Sequence, residues 1–199
     1  AISVLYNPTK IEDSASGVYY YKNISVHVTD VDGKPLPNQD VVMGVNALSY
    51  NKGNYNFFDT DLPPDGKVDK YLPDVITQCF SPITKVNIDG KQIDQLQPVK
   101  QGQTVQVVSF INAEDQPATD NKYTTDANGR FDLKIQYPKI YAGYLNIQIL
   151  ANSIVSGKSI NGSTSLGLSY LISDVDIENG IAPNLESPYG TSLNCSDGE

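Results

Sequence analysis

Apolar and polar residues alternate with period two over much of this chain, the signature of strands buried on one face. Ile24, Val26 and Val28 interleave with Asn23, Ser25, His27 and Thr29, and the pattern is legible from Tyr19 onward. That strand runs into Asp30-Val31-Asp32-Gly33-Lys34-Pro35, where Gly accepts positive φ and Asp bonds its own backbone, so a turn is expected. Val41, Met43 and Val45 then open the next strand, and upstream Ile2 to Tyr6 predicts a short strand closed by Asn7-Pro8. The strongest hairpin signal is Asp126-Ala127-Asn128-Gly129, followed by Phe131, Leu133 and Ile135 alternating with Arg130, Asp132, Lys134 and Gln136. Leu145, Ile147 and Ile149 repeat the stripe, and 163–172 carries a final alternation.

The middle of the chain is less regular. Residues 50–55 read as a polar, flexible stretch, and 61–66 as a loop. Val75-Ile76-Thr77-Gln78-Cys79-Phe80 predicts a core strand. Val86 and Ile88 flank an expected hairpin at Asp89-Gly90, answered by Ile93. Residues 104–111 predict a further strand, followed by a polar loop over 112–121. No stretch shows a helical period. Many short strands separated by turn signals predict an all-β, immunoglobulin-like sandwich. It is expected as one domain over 1–199, with a lead-in at 1–22, a body at 23–172, an insertion at about 50–100 and a tail at 173–199.

Composition narrows the function classes. Val, Ile, Tyr, Thr, Asn, Asp and Gly are abundant and Glu is scarce, which suits strands and tight turns. The net charge of -9 repels phosphate backbones, and no Lys/Arg cluster offsets it, so nucleic acid is excluded as a partner. The acid is spread over loops at Asp30, Asp32, Asp59, Asp61, Asp65 and Asp69. Cys79 and Cys195 form no CxxC pair, and the single His27 cannot complete a zinc set with them. A structural disulfide, and with it an oxidising compartment, is the expectation. The longest apolar runs are strand-sized, so no transmembrane segment or leader is expected, and a chain opening at Ala1 reads as a mature or trimmed exported segment.

Three motifs carry a family resemblance. Val26 to Asp30 with Gly33-Lys34-Pro35-Leu36-Pro37-Asn38-Gln39-Asp40-Val41 resembles the opening of bacterial Ig-like domains of the invasin/intimin type. Thr124-Thr125-Asp126-Ala127-Asn128-Gly129-Arg130-Phe131 is similar to their later T-T-D-x-N-G motif, and residues 144–151 to their closing strand. An envelope-protein subset is more similar still, with a Lys-Gly-Tyr loop, a cysteine in a long insertion and an S-P-[YF]-G-T…C tail. Lys52-Gly53-Asn54-Tyr55, Cys79, Ser187-Pro188-Tyr189-Gly190-Thr191 and Cys195 stand in those places. The resemblance implies that Cys79 pairs with Cys195. It also implies a module of the periplasm, outer membrane or cell surface, partnered by envelope or surface proteins, as in an adhesin spacer or a secretion apparatus. One departure is Phe80-Ser81-Pro82-Ile83-Thr84-Lys85, where relatives carry an acidic D-x-N-x-N-G run.

Three constellations bear on chemistry. Asp61, Asp65 and Asp69, with Gly66 and Val68, stand at spacings of an EF-hand-like loop, but Pro63 and Leu72 occupy two ligand positions, so an acidic turn is expected and Ca2+ is the alternative. No G-x-S-x-G elbow accompanies His27, and no pair of carboxylates is marked as catalytic, so no enzyme is expected. Tyrosine is the unusual feature. Tyr19, Tyr20 and Tyr21 form a run, and Tyr50, Tyr55, Tyr137, Tyr141 and Tyr144 gather near loops. Tyr is a good strand former, but its rigid amphipathic ring also suits recognition, which makes Tyr50, Tyr55, Tyr141 and Tyr144 the candidate binding residues. The sequons at Asn23, Asn161 and Asn194 carry no weight in a bacterial setting. The expected function is therefore a non-enzymatic exported interaction module without a cofactor. The alternative is a carbohydrate-binding module, with or without calcium.

Overall fold

A computed structural model describes residues 1–80, 107–112, 116 and 120–195, together with the backbone of two strands at 83–88 and 91–96. The fold is an all-β sandwich of two antiparallel sheets packed together. One sheet orders β1 (Ile2–Tyr6), β3 (Tyr19–Val28), β10 (Arg130–Pro138) and β8 (Ser109–Ile111), with β2 (Glu12–Asp13) added on β3. The other orders β12 (Lys158–Gly167), β11 (Leu145–Val155), β4 (Asp40–Phe58) and β5 (Lys70–Phe80), with β9 (Lys122–Thr124) added on β4. A separate hairpin joins β6 (Ile83–Ile88) to β7 (Lys91–Leu96). The order β1-β3-β10-β8 opposite β12-β11-β4 is the A-B-E-D opposite G-F-C arrangement of immunoglobulin folds.

The chain divides into two compact units, and β4 and β11 contribute residues to both. Unit 1 comprises Ala1–Asn46, Gln106–Tyr137 and Ile147–Leu166. Its core is the period-two stripe made solid. Ile24, Val26 and Val28 of β3 with Leu133 and Ile135 of β10 are buried, as are Val41 and Met43 of β4 and Ile147, Ile149 and Ala151 of β11. Each of the larger side chains contributes about 1.5–3 kcal/mol by leaving water. Along one side, β12 approaches β1 so closely that a Cβ on Gly162 would lie 2.4 Å from the Ile2 carbonyl oxygen. The Tyr6 hydroxyl donates to the Ser165 carbonyl at 3.3 Å in the same place. Two sheet edges that would otherwise attract foreign strands are thereby set against each other.

The two turn motifs of unit 1 are built alike and interlock. Asp30 Oδ1 accepts the amides of Asp32 and Lys34, both at 2.9 Å. Asp126 Oδ1 accepts those of Asn128 and Arg130 at 2.8 and 2.9 Å. Those bonds, the Arg130 amide first, hold the Asp126 carboxyl below its ordinary range. Gly129 sits at φ +68°, and a Cβ there would lie 2.6 Å from the Val28 carbonyl oxygen, so no side chain fits. Thr125 makes the knot. Its hydroxyl donates to the Leu36 carbonyl at 2.7 Å and accepts the Gln39 amide at 2.9 Å, while its backbone exchanges bonds with Asn38 and Gln39 at 3.0 Å each.

Unit 2 comprises Ala47–Val105, Pro138–Asn146 and Gly167–Glu199. Here the structure corrects three expectations. Residues 50–55 are strand, because Ser49–Phe58 pairs with Lys70–Phe80, with one register shift at Asn54/Tyr55, and Tyr50 and Lys52 are buried. Within Val75–Phe80 only Cys79 is buried, while Val75 and Phe80 face solvent, so this is the outermost strand of its sheet and not a core strand. The last alternation ends as strand at Gly167. Buried Leu168 follows, and a 3-10 turn occupies Ile172–Asp174. The expected turn at Asp89-Gly90 and most of 104–108 and 112–121 lie outside the described residues, although strands pair on either side of the former and β8 covers 109–111.

The knot generates a test within one dipeptide. Thr125→Val leaves the Gln39 amide and the Leu36 carbonyl without their partner in a buried place, and costs about 2 kcal/mol in urea-melt stability. Thr124→Val removes an exposed hydroxyl bond to Asp40 and changes stability by under about 0.5 kcal/mol.

Candidate interaction site

A strand offers its amides to alternate sides, so β4 in unit 2 has two edges to satisfy. One edge pairs with β5. On the other, the amides of Asn51, Gly53 and Tyr55 reach Tyr144 at 2.7 Å, Gly190 at 2.9 Å and Leu185 at 2.8 Å. The tail segment 185–190 therefore lies along β4 as a short added strand, bridged antiparallel at Asn54 and Glu186. Gly53 is the hinge of the arrangement. It sits at φ +114° next to a register shift, and a Cβ on it would coincide with the Val75 carbonyl. Its own carbonyl accepts the Ser187 amide at 2.9 Å.

Ser187-Pro188-Tyr189-Gly190 folds as a β-turn, with the Gly190 amide bonded to the Ser187 carbonyl at 3.0 Å and Gly190 at φ +97°. The Ser187 hydroxyl donates to the Asn51 carbonyl at 2.5 Å, so the turn is pinned on β4. Tyr189 drives inward. It is 6% exposed, and its ring lies 4.8 Å from that of Tyr50 and 5.6 Å from that of Tyr141. The Tyr144 hydroxyl donates to the Leu185 carbonyl at 2.9 Å, and the Tyr71 hydroxyl donates to the carbonyl of buried Asn184. Asn184 in turn donates to the carbonyls of Ile140 and Ala142.

All four candidate tyrosines thus touch the chain's own tail. Tyr50 and Tyr141 hold the Tyr189 ring, Tyr144 holds the Leu185 carbonyl by its hydroxyl, and Tyr55 bonds Leu185 through its amide. Tyr50 and Tyr144 are closed to solvent, which leaves Tyr55 and Tyr141 as the half-buried members. Three partners carried no sequence signal: Tyr71 and Tyr170, which ring Tyr55 at 5.1 and 6.3 Å, and Asn184; a fourth, Tyr189, was marked only as part of the tail motif. Burial pushes the phenols of Tyr71, Tyr144 and Tyr189 far above the ordinary tyrosine value, and neighbouring phenols add to the effect.

Two fasteners secure the far end of the segment. Lys52, 1% exposed, donates from Nζ to the Asn194 carbonyl at 3.0 Å. One residue on, Cys195 is disulfide-bonded to Cys79 across 116 positions of sequence. Cys79 is buried and Cys195 exposed. Closing a loop of that length stabilises by about 4–5 kcal/mol in the chain-entropy picture.

The acidic loop between β4 and β5 arranges itself differently from the expected triplet. Carboxylate oxygens of Asp59, Asp61 and Asp65 lie within 4.8 Å of one another. Asp69 instead accepts the amide and hydroxyl of Thr60, at 3.0 and 2.7 Å. Asp59 already accepts the amides of Asp61 and Gly66, and Asp65 that of Lys67, so the carboxylates serve as loop caps. The D-x-D-x-x-x-D spacing was the available signal for Asp59. Among the described residues, no helix is long and apolar enough to cross a membrane. No family model matches the sequence, and no curated protein matches it.

Two measurements follow from the tyrosine cluster. Tyr189→Ala empties the slot between Tyr50 and Tyr141 and costs about 3 kcal/mol in chemical denaturation with the disulfide intact. The raised phenols set an alkaline limit. Stability is intact below about pH 10, the unfolded tyrosine value, and falls as pH rises further, because unfolded chains ionise while the folded cluster does not. Absorbance at 295 nm should accordingly show a tyrosine fraction that ionises only together with unfolding.

Proposed function

We propose that this chain is a non-enzymatic, exported interaction module of a bacterial envelope or surface protein, of the invasin-like immunoglobulin type. The observation that carries the reading is the interlock of the two motifs behind the resemblance. Gly129 lies against the Val28 carbonyl at a spacing no side chain permits, and Thr125 ties its own turn to residues 36–39. Both motifs thus serve the packing of neighbouring turns in this chain, which supports reading them as one unit. The Cys79–Cys195 bond supports an oxidising compartment, and so periplasm, outer membrane or cell surface. Envelope or surface proteins are the partners this reading implies, whether in an adhesin or a secretion assembly.

The alternative module binds carbohydrate, and the convergence of Asp59, Asp61 and Asp65 is the observation that favours a calcium-dependent form of it. One set of experiments separates the two. Exported full-length protein, checked for the absence of free thiols, is immobilised and exposed to envelope extract and to a glycan array, each with calcium or with chelator. Saturable capture of a defined envelope protein, unaffected by chelator and without glycan binding, supports the interaction module. Chelator-sensitive glycan binding, or free thiols in the exported protein, overturns it.

A further inference from the structure

The segment 184–195 reaches its seat mostly through groups that any copy of this chain could supply. The bonds at Gly53 and Tyr55 are backbone to backbone, and the specific contacts are Tyr189 between Tyr50 and Tyr141, Ser187 on Asn51, and Asn184 against Ile140 and Ala142. None of these depends on which molecule the segment belongs to. The chain leading to it is anchored at Asp174, whose carboxylate takes Lys139 Nζ at 2.5 Å, and is loosely tied beyond that point. Residues 175–183 bond to themselves, with Asp176 and Ile181 exchanging amide bonds at 2.8 and 2.9 Å and Asn179 capping Asp176. The connector also presents apolar side chains to water: Ile172 is 84% exposed and Ile181 57%. Extended, the residues from 174 to 184 reach roughly 35 Å, about the width of a small domain.

From these observations we propose that the β4 slot is an exchange site for a second copy of this chain. The 184–195 segment of one molecule seats along β4 of another, Tyr189 enters the partner's Tyr50–Tyr141 pocket, and the cross-link forms between Cys195 of the donor and Cys79 of the acceptor. The second copy is the occupant because the slot is shaped to this segment and to its cysteine. The inference goes beyond the envelope reading and stands whether or not that reading holds. Exchange precedes the covalent lock: oxidised glutathione takes two electrons from the Cys79 and Cys195 thiols, the new S–S bond forms, and two reduced glutathiones leave.

Two full-length variants test this. Cys195→Ser retains only the acceptor sulfur, and Cys79→Ser retains only the donor. Folded together at high concentration in a glutathione buffer, they should give a heterodimer joined Cys79 to Cys195, at least tenfold over Cys195-to-Cys195 homodimer by peptide mass spectrometry. Seating the donor segment brings its Cys195 against the acceptor's Cys79, as in the closed chain, and so favours that pair. Adding Tyr189→Ala to the donor should lower the yield several-fold. Folded variants that give no Cys79–Cys195 link, or no excess over the homodimer, overturn the proposal. Should either variant fail to fold, unlabelled and 15N-labelled wild-type chains are refolded together. A dimer containing isotopically mixed Cys79–Cys195 peptides supports exchange, and links of uniform isotope alone overturn it.

Discussion

A strand edge with nothing beside it is the constraint from which unit 2 is built. The amides of Asn51, Gly53 and Tyr55 must be bonded, and each buried amide left alone would cost on the order of 1–3 kcal/mol. Tyr144 answers the first, and residues 185–190 answer the others. The rest of the region makes sense as what holds that answer in place. A turn lifts Tyr189 into a ring pocket, Tyr71 and Tyr144 hold carbonyls of the same segment by their hydroxyls, and Lys52 takes the carbonyl just before the cysteine. The disulfide is the last element of a series that begins with main-chain hydrogen bonding.

Unit 1 solves a related problem without a covalent bond. Its turns are closed by carboxylates that accept two amides each, and they are joined by a threonine hydroxyl that donates once and accepts once. Such a hydroxyl saturates both of its neighbours in a space of one methyl group. Valine would match the shape and fail the chemistry at position 125, whereas Thr124 spends its hydroxyl on an exposed bond to Asp40 and carries no such demand.

The sandwich was legible because its signal is local. Alternation in Ile24, Val26 and Val28 or in Leu133 and Ile135 needs only neighbouring residues to be read. The Asp30 and Asp126 turns were legible for the same reason, since the acceptor and its amides lie within four positions. What failed was whatever depends on distant residues. Residues 50–55 looked flexible because their polar side chains and Gly53 carry weak strand propensity, and their strand character comes from partners at 73–79 and 185–190. Val75 and Phe80 looked like core, yet both are exposed, on opposite faces of β5, the outermost strand of its sheet.

The tyrosines show the limit most clearly. Composition marked Tyr50, Tyr55, Tyr141 and Tyr144 as a set suited to recognition, and the structure brings all four against one peptide segment. Sequence could not say that the segment is the chain's own, because self-recognition and recognition of a partner require the same chemistry: rigid rings, a hydroxyl and an open strand edge. Only connectivity separates them. In this fold, connectivity is supplied by a connector bonded mainly to itself and by one disulfide, so the distinction between intramolecular closure and pairing rests on which sulfur meets Cys79 first.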